Sequence, residues 1–186
     1  MKKARALLLP IAIALLLTGC AAPARIDQMT STASPAQRVL QTPLRANVAV
    51  RDVTGGKETN PMWVSNVGSS EFEQALEASL RDAGLLAPGK QAGKYMLVAH
   101  LENLDQPLLG GFNMTVTATV SYSLVERATG KEVLNRRVSL PYTASLSSAF
   151  MGTERLRLAN EGAVKVNIAK LIDELFALRI DQVAMN

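Results

Sequence analysis

Between Asn113 and Glu126 the chain alternates without a break. Met114, Val116, Ala118, Val120, Tyr122 and Leu124 fall on one side, and Asn113, Thr115, Thr117, Thr119, Ser121 and Ser123 on the other. A period of two sends successive side chains to opposite faces, so this stretch is a strand with one packed and one solvated face. Ala128-Thr129-Gly130-Lys131 supplies a hairpin turn. The returning strand runs to Tyr142, with Leu134, Val138, Leu140 and Tyr142 in phase and Arg136 as the exception. A strand pair of this kind needs a second layer to bury its apolar face.

Two segments can form that layer. Ser70-Glu71-Phe72-Glu73 has the pattern of a capping box, and Phe72, Leu76, Leu80 and Ala83 recur at helical spacing. Gly84 is placed to end this helix in a left-handed conformation. A second helix is predicted from about Thr153, with Val164, Ile168, Leu171, Leu175 and Leu178 as its apolar stripe. Gly162 is expected to divide a short first helix from the main one. Upstream, Asn47 to Val53 reads as a strand closed by Thr54-Gly55-Gly56. Tyr95 to Leu104 reads as another, with both faces mostly apolar, which predicts a central strand in a covered sheet. The order is β-α-β-β-β-α. It predicts a single small α+β domain over residues 47–180, with the helices packed on one face of a small mixed sheet. The first two strands are expected to be parallel and the last two antiparallel. Residues 181–186 are left as a C-terminal tail.

The amino-terminal end carries a different message. Lys2, Lys3 and Arg5 precede an unbroken apolar run from Ala6 to Leu17, the layout of an export signal. The run is well short of the ~20 residues that a membrane-spanning helix needs. It ends in Leu17-Thr18-Gly19-Cys20, which resembles the bacterial lipobox. That resemblance implies removal of residues 1–19 and acylation of Cys20, with palmitate-class chains anchoring the protein to a membrane. Two or three such chains make an anchor effectively permanent. Ala21 and Ala22 follow with no Asp, which by resemblance to the sorting rule of enteric bacteria directs the protein to the outer membrane, facing the periplasm. Residues 20–46 are rich in Ala, Pro, Ser, Thr and Gln, and Pro23, Pro35 and Pro43 interrupt any helix. They read as a flexible tether spanning roughly 25–30 Å.

Charge and chemistry exclude more than they assign. The formal charge of +4 includes Lys2, Lys3 and Arg5, so the mature chain is nearly neutral and lacks a basic patch for nucleic acid. Cys20 is the sole cysteine and is taken up by lipidation. His100 is the sole histidine and reads as a core or sheet-surface residue, so no metal pair is expected. There is no Gly-x-Ser-x-Gly elbow, and Thr54-Gly55-Gly56-Lys57 lacks the ending of a phosphate loop. The chain is therefore expected to be no enzyme, without metal or cofactor.

From about Asn47 to Leu178 the chain resembles small bacterial lipoproteins of the YajG type, distantly similar to the LptE and CsgG-like groups. The resemblance rests on Val50-Arg51-Asp52, on Ser121 to Gly130, on Ala149-Phe150 and on Asn167-Ile168-Ala169. It implies a fold and an envelope address but no activity.

The predicted strand directions gather three loops at one pole: Thr54 to Gly68, Asp105 to Phe112, and Thr143 to Gly152. They carry Trp63, Leu108, Leu109, Phe112, Phe150 and Met151, with the tether expected to enter at the opposite end. Contiguous exposed apolar patches tend to be functional, so the pole is a candidate site for an envelope protein partner. Alternatively the loops fold over each other as a satellite core. A second class of function is a carrier for a lipid or other apolar ligand, held in a groove between sheet and helices.

Overall fold

The strand alternation around residue 120 organises the observed architecture. The structure, a computed structural model, describes residues 21–62, 64–108 and 111–178. In chain order its elements are α1 (Ile26–Met29), α2 (Pro35–Val39), β1 (Val48–Gly55), α3 (Ser69–Asp82), β2 (Tyr95–Asp105), β3 (Asn113–Glu126), β4 (Glu132–Ser145) and α4 (Gly152–Ala177). β1 and β2 are parallel, β2–β3 and β3–β4 antiparallel, in the sheet order β1-β2-β3-β4. This is the expected single α+β domain with a four-stranded mixed sheet.

The long helices cover one face of that sheet, α3 over β1 and α4 over β3 and β4. All six apolar residues of the β3 alternation are buried, and Val48 and Val50 of β1 and Leu97, Ala99 and Leu101 of β2 extend the same layer. Phe72, Leu76 and Leu80 of α3 and Val164, Ile168, Leu171 and Leu175 of α4 close it from above. The opposite face is open. Met96 and Val98 are half-buried and His100 is exposed, so β2 is central but covered on one side only, contrary to the sequence expectation. Serines, threonines and charged pairs fill the rest of that face. Ser121 and Arg137 both donate to Glu102 and hold its carboxyl below the usual carboxylate range.

Three local expectations are corrected. The amino-terminal cap of α3 is Gly68 rather than Ser70, with no side-chain cap; a Cβ at Gly68 would lie 2.4 Å from the Glu71 carboxylate. The carboxyl end follows expectation: Gly84 has φ +71°, and Leu85 N–H donates back to Leu80 O at 2.9 Å. Gly162 does not divide the last helix, which is continuous from Gly152 to Ala177. Its missing side chain instead admits the ring of Tyr142, which a Cβ would meet at 2.2 Å.

The largest correction concerns the tether. Residues 21–46 lie along the domain, and Ala24, Met29, Ala33 and Leu44 are buried in the main core. α1 packs against both α3 and α4, which touch each other less than either touches it. Backbone amides are satisfied by the domain: Ser31 N–H donates to Ser79 Oγ and Ala33 N–H to Asp82 Oδ2, each at 2.8 Å. Pro35 starts a helical turn rather than breaking one. It sits at the first position of α2, behind a capping box formed by Ser34 and Gln37.

Asn167 joins the layers at their centre. Fully buried on α4, it donates to Ala118 O (2.9 Å) and Val138 O (3.0 Å) and accepts from Tyr122 Oη (2.9 Å). Burial pushes the Tyr122 phenol upward, keeping it protonated as a donor. Replacing Asn167 by Ala orphans three buried polar groups and should cost about 2–4 kcal/mol of unfolding free energy. Tyr122→Phe should cost less, about 1–2 kcal/mol. Urea denaturation of both variants measures the difference.

Candidate functional site

The loop pole is built from the first turns of α4. Arg155 is buried there, with Nη1 donating to Ala149 O (2.8 Å) and Phe150 O (2.6 Å) and Nη2 donating to Gly111 O (2.9 Å). One guanidinium thus ties the loop after β2 to the loop after β4. A turn and a half further along, Asn160 donates to Ser65 O (2.8 Å) and accepts from Gln106 Nε2 (2.9 Å). Gln106 also donates to Ser65 O (3.0 Å), so the loop after β1 joins the same network. All three expected loops are therefore at one pole, each fixed by a buried polar side chain of one helix.

Their apolar tips do not form a satellite core. Leu108, Phe112, Phe150 and Met151 are exposed, as is Met62, the residue before Trp63 in the first loop. Trp63 and Leu109, the other two residues singled out from the sequence, lie outside the described residues, as do residues 1–20 with Cys20. The residues that hold the loops, Arg155, Asn160, Gln106 and Ser65, carry no sequence motif. For Arg155 and Asn160 the one signal was polarity on the buried side of a helix; Ser65 and Gln106, in loops, gave none.

The start of the docked segment arrives at this pole too. Ala21 N–H donates to Pro61 O (2.8 Å), and Ser65 Oγ donates to Ala22 O (2.9 Å). The segment then runs down between α3 and α4. The Arg25 backbone amide (2.8 Å) and guanidinium (3.2 Å) both meet the buried Glu161 carboxylate. That bond raises the Arg25 guanidinium above its ordinary value. Further along, Gln37 Nε2 donates to Asp173 Oδ1 at 2.7 Å. The segment joins β1 at the pole opposite the loops, as the sequence reading expected, but its far end, Ala21, lies back beside the loops instead of standing clear of the domain. Ala24, Met29 and Ala33 of this segment are buried in the core beside the two long helices.

Among the described residues no group of three or more His, Cys, Asp and Glu could hold a metal ion. His100 stands on the open sheet face, its Nδ1 2.9 Å from Thr54 Oγ1. A cavity of about 300 Å³ opens at the foot of the loops, bounded by Gly56, Lys57, Leu101, Glu102 and Gln106. Among the described residues no helix is long and apolar enough to cross a membrane.

No protein-family model matches the chain, and a search of curated sequences gives no significant match. Solved structures do match in fold. The protein XCC0632 from Xanthomonas campestris, of family DUF330, superposes with a TM-score of 0.59 at 14% identity, covering 84% of this chain and 95% of that one. A protein from Caulobacter crescentus CB15 described as a lipoprotein gives 0.50 at 14% identity, covering 72% and 90%. A minor lipoprotein from Acinetobacter baumannii gives 0.47 at 10% identity, covering 72% and 94%. The chain thus shares its fold with bacterial proteins that include a lipoprotein.

Arg155→Met keeps the length of the side chain but leaves three carbonyl oxygens without their donor. It should lower stability by about 1–3 kcal/mol and speed chymotrypsin cleavage after Phe112 and Phe150. Cleavage after Phe72, inside α3, should be unchanged under the same native conditions.

Proposed function

We propose that this protein is a lipoprotein of the YajG type, acylated at Cys20 and held on the periplasmic side of the outer membrane. It acts there without catalysis, as an accessory that positions an envelope protein partner. The observation that carries this reading is the fixing of Ala21, the residue after the lipobox cysteine, onto the loop pole of the domain. The likeness in fold to a bacterial lipoprotein supports it. So does the open, hydroxyl-rich sheet face, which offers a second surface while the chain is anchored.

Two measurements test the two halves. Cells fed radiolabelled palmitate should label the wild-type protein, and Cys20→Ala should abolish the label and move the protein to the soluble fraction. An unlabelled, soluble wild-type protein contradicts the anchor. Crosslinking in intact cells followed by purification should return the same protein partner repeatedly; its failure to do so would sink the accessory role.

A further inference from the structure

Ala21, the residue after the proposed acylation site, and the apolar loops share one end of the molecule. Ala21 is bonded to Pro61, in the loop that carries Met62, and its neighbour Cys20 is one peptide unit away, about 3.8 Å between Cα atoms. The anchor therefore has no tether to stand off on. Any acyl chain attached at Cys20 enters the bilayer within a few ångströms of the loop pole, and brings that pole to the lipid surface.

The pole has the composition for such contact. Met62 is 82% exposed, Leu108 100%, Phe112 78% and Phe150 86%, each in one of the loops of this pole. Residues 106–112 and 146–151 contain no charged side chain, so their entry into the headgroup layer desolvates no charge. Exposed polar groups near them, Ser147 and Ser148, suit the headgroup level. Arg155 and Asn160 hold the backbone of Ala149, Gly111 and Ser65 in place beforehand, which lowers the ordering cost of contact.

We propose that the loop pole is a membrane-contact surface, with Met62, Leu108, Phe112 and Phe150 inserted in the interfacial layer of the leaflet that carries the acyl chains. The domain then stands upright on the bilayer, its strands pointing at the lipid and its β3–β4 turn farthest away. The occupant of the patch is lipid, and protein partners are left with the open sheet face. This inference rests on acylation of Cys20.

The test uses the full-length protein, processed in its native host and purified in mild detergent, with acylation at Cys20 checked by mass spectrometry. Single-cysteine variants Leu108→Cys, Phe112→Cys, Phe150→Cys and, as the remote control, Thr129→Cys are labelled with an environment-sensitive fluorophore. Each is reconstituted into phosphatidylethanolamine–phosphatidylglycerol vesicles with and without brominated acyl chains. All four positions are surface sites, and unchanged melting temperatures confirm the fold. Labels at 108, 112 and 150 should shift to the blue on reconstitution and be quenched several-fold by the bromolipid, while the label at 129 stays in water. If an acylated, vesicle-bound protein leaves all four labels in water, the membrane-contact proposal is overturned and the patch is free for a protein. If mass spectrometry finds Cys20 unacylated, the anchoring reading fails and this proposal falls with it.

Discussion

Four polar side chains buried along α4 hold the molecule together. Arg155 fixes the loops after β2 and β4, Asn160 the loops after β1 and β2, Glu161 the docked amino-terminal segment, and Asn167 the strands β3 and β4. Each serves a group that would be costly to bury alone, since a buried donor or acceptor without a partner loses its full solvation. Apolar packing between sheet and helices supplies the bulk of the driving force but no fixed positions. The polar contacts add position. They determine where the loops sit and where the chain enters.

The docked segment changes the meaning of the amino-terminal region. A free linker would let the domain tumble at some distance from its anchor. A strap running from the loops down between α3 and α4 instead makes the anchor point a part of the folded surface. Its burial of Met29 and Leu44 also adds to the core, since its first helix packs against both long helices. Anchoring, stability and orientation are thus one arrangement.

The sheet and helices were readable in the sequence because their patterns are local. The β3 alternation, the spacing of Phe72, Leu76 and Leu80, and the stripe from Val164 to Leu175 each repeat over several turns or residues. The strand directions, and so the three loops at one pole, follow from these elements alone. The strap was unreadable for the converse reason. Ala24, Met29, Ala33 and Leu44 have no period, and their burial is decided by a groove that other residues form. Pro35 pointed to a break where Ser34 and Gln37 formed a cap around it, an Ser-x-x-Gln signal that composition masked. Gly162 likewise reads as a helix weakness until the Tyr142 ring is seen against it. The loop residues Leu108, Phe112 and Phe150 were found by sequence, but the polar groups that position them were not, because buried Arg and Asn look like surface residues in a one-dimensional pattern.

Amide hydrogen exchange along residues 21–46 tests the central claim most directly. Ser31 and Ala33 donate to side chains of α3, Arg25 to Glu161 and Ala21 to Pro61. In the docked chain these four amides should exchange orders of magnitude more slowly than in a free peptide, with Ser31 and Ala33 approaching the rates of the α3 core. Exchange of all four at free-peptide rates, with α3 and β3 still protected, would show a loose tether and contradict the account.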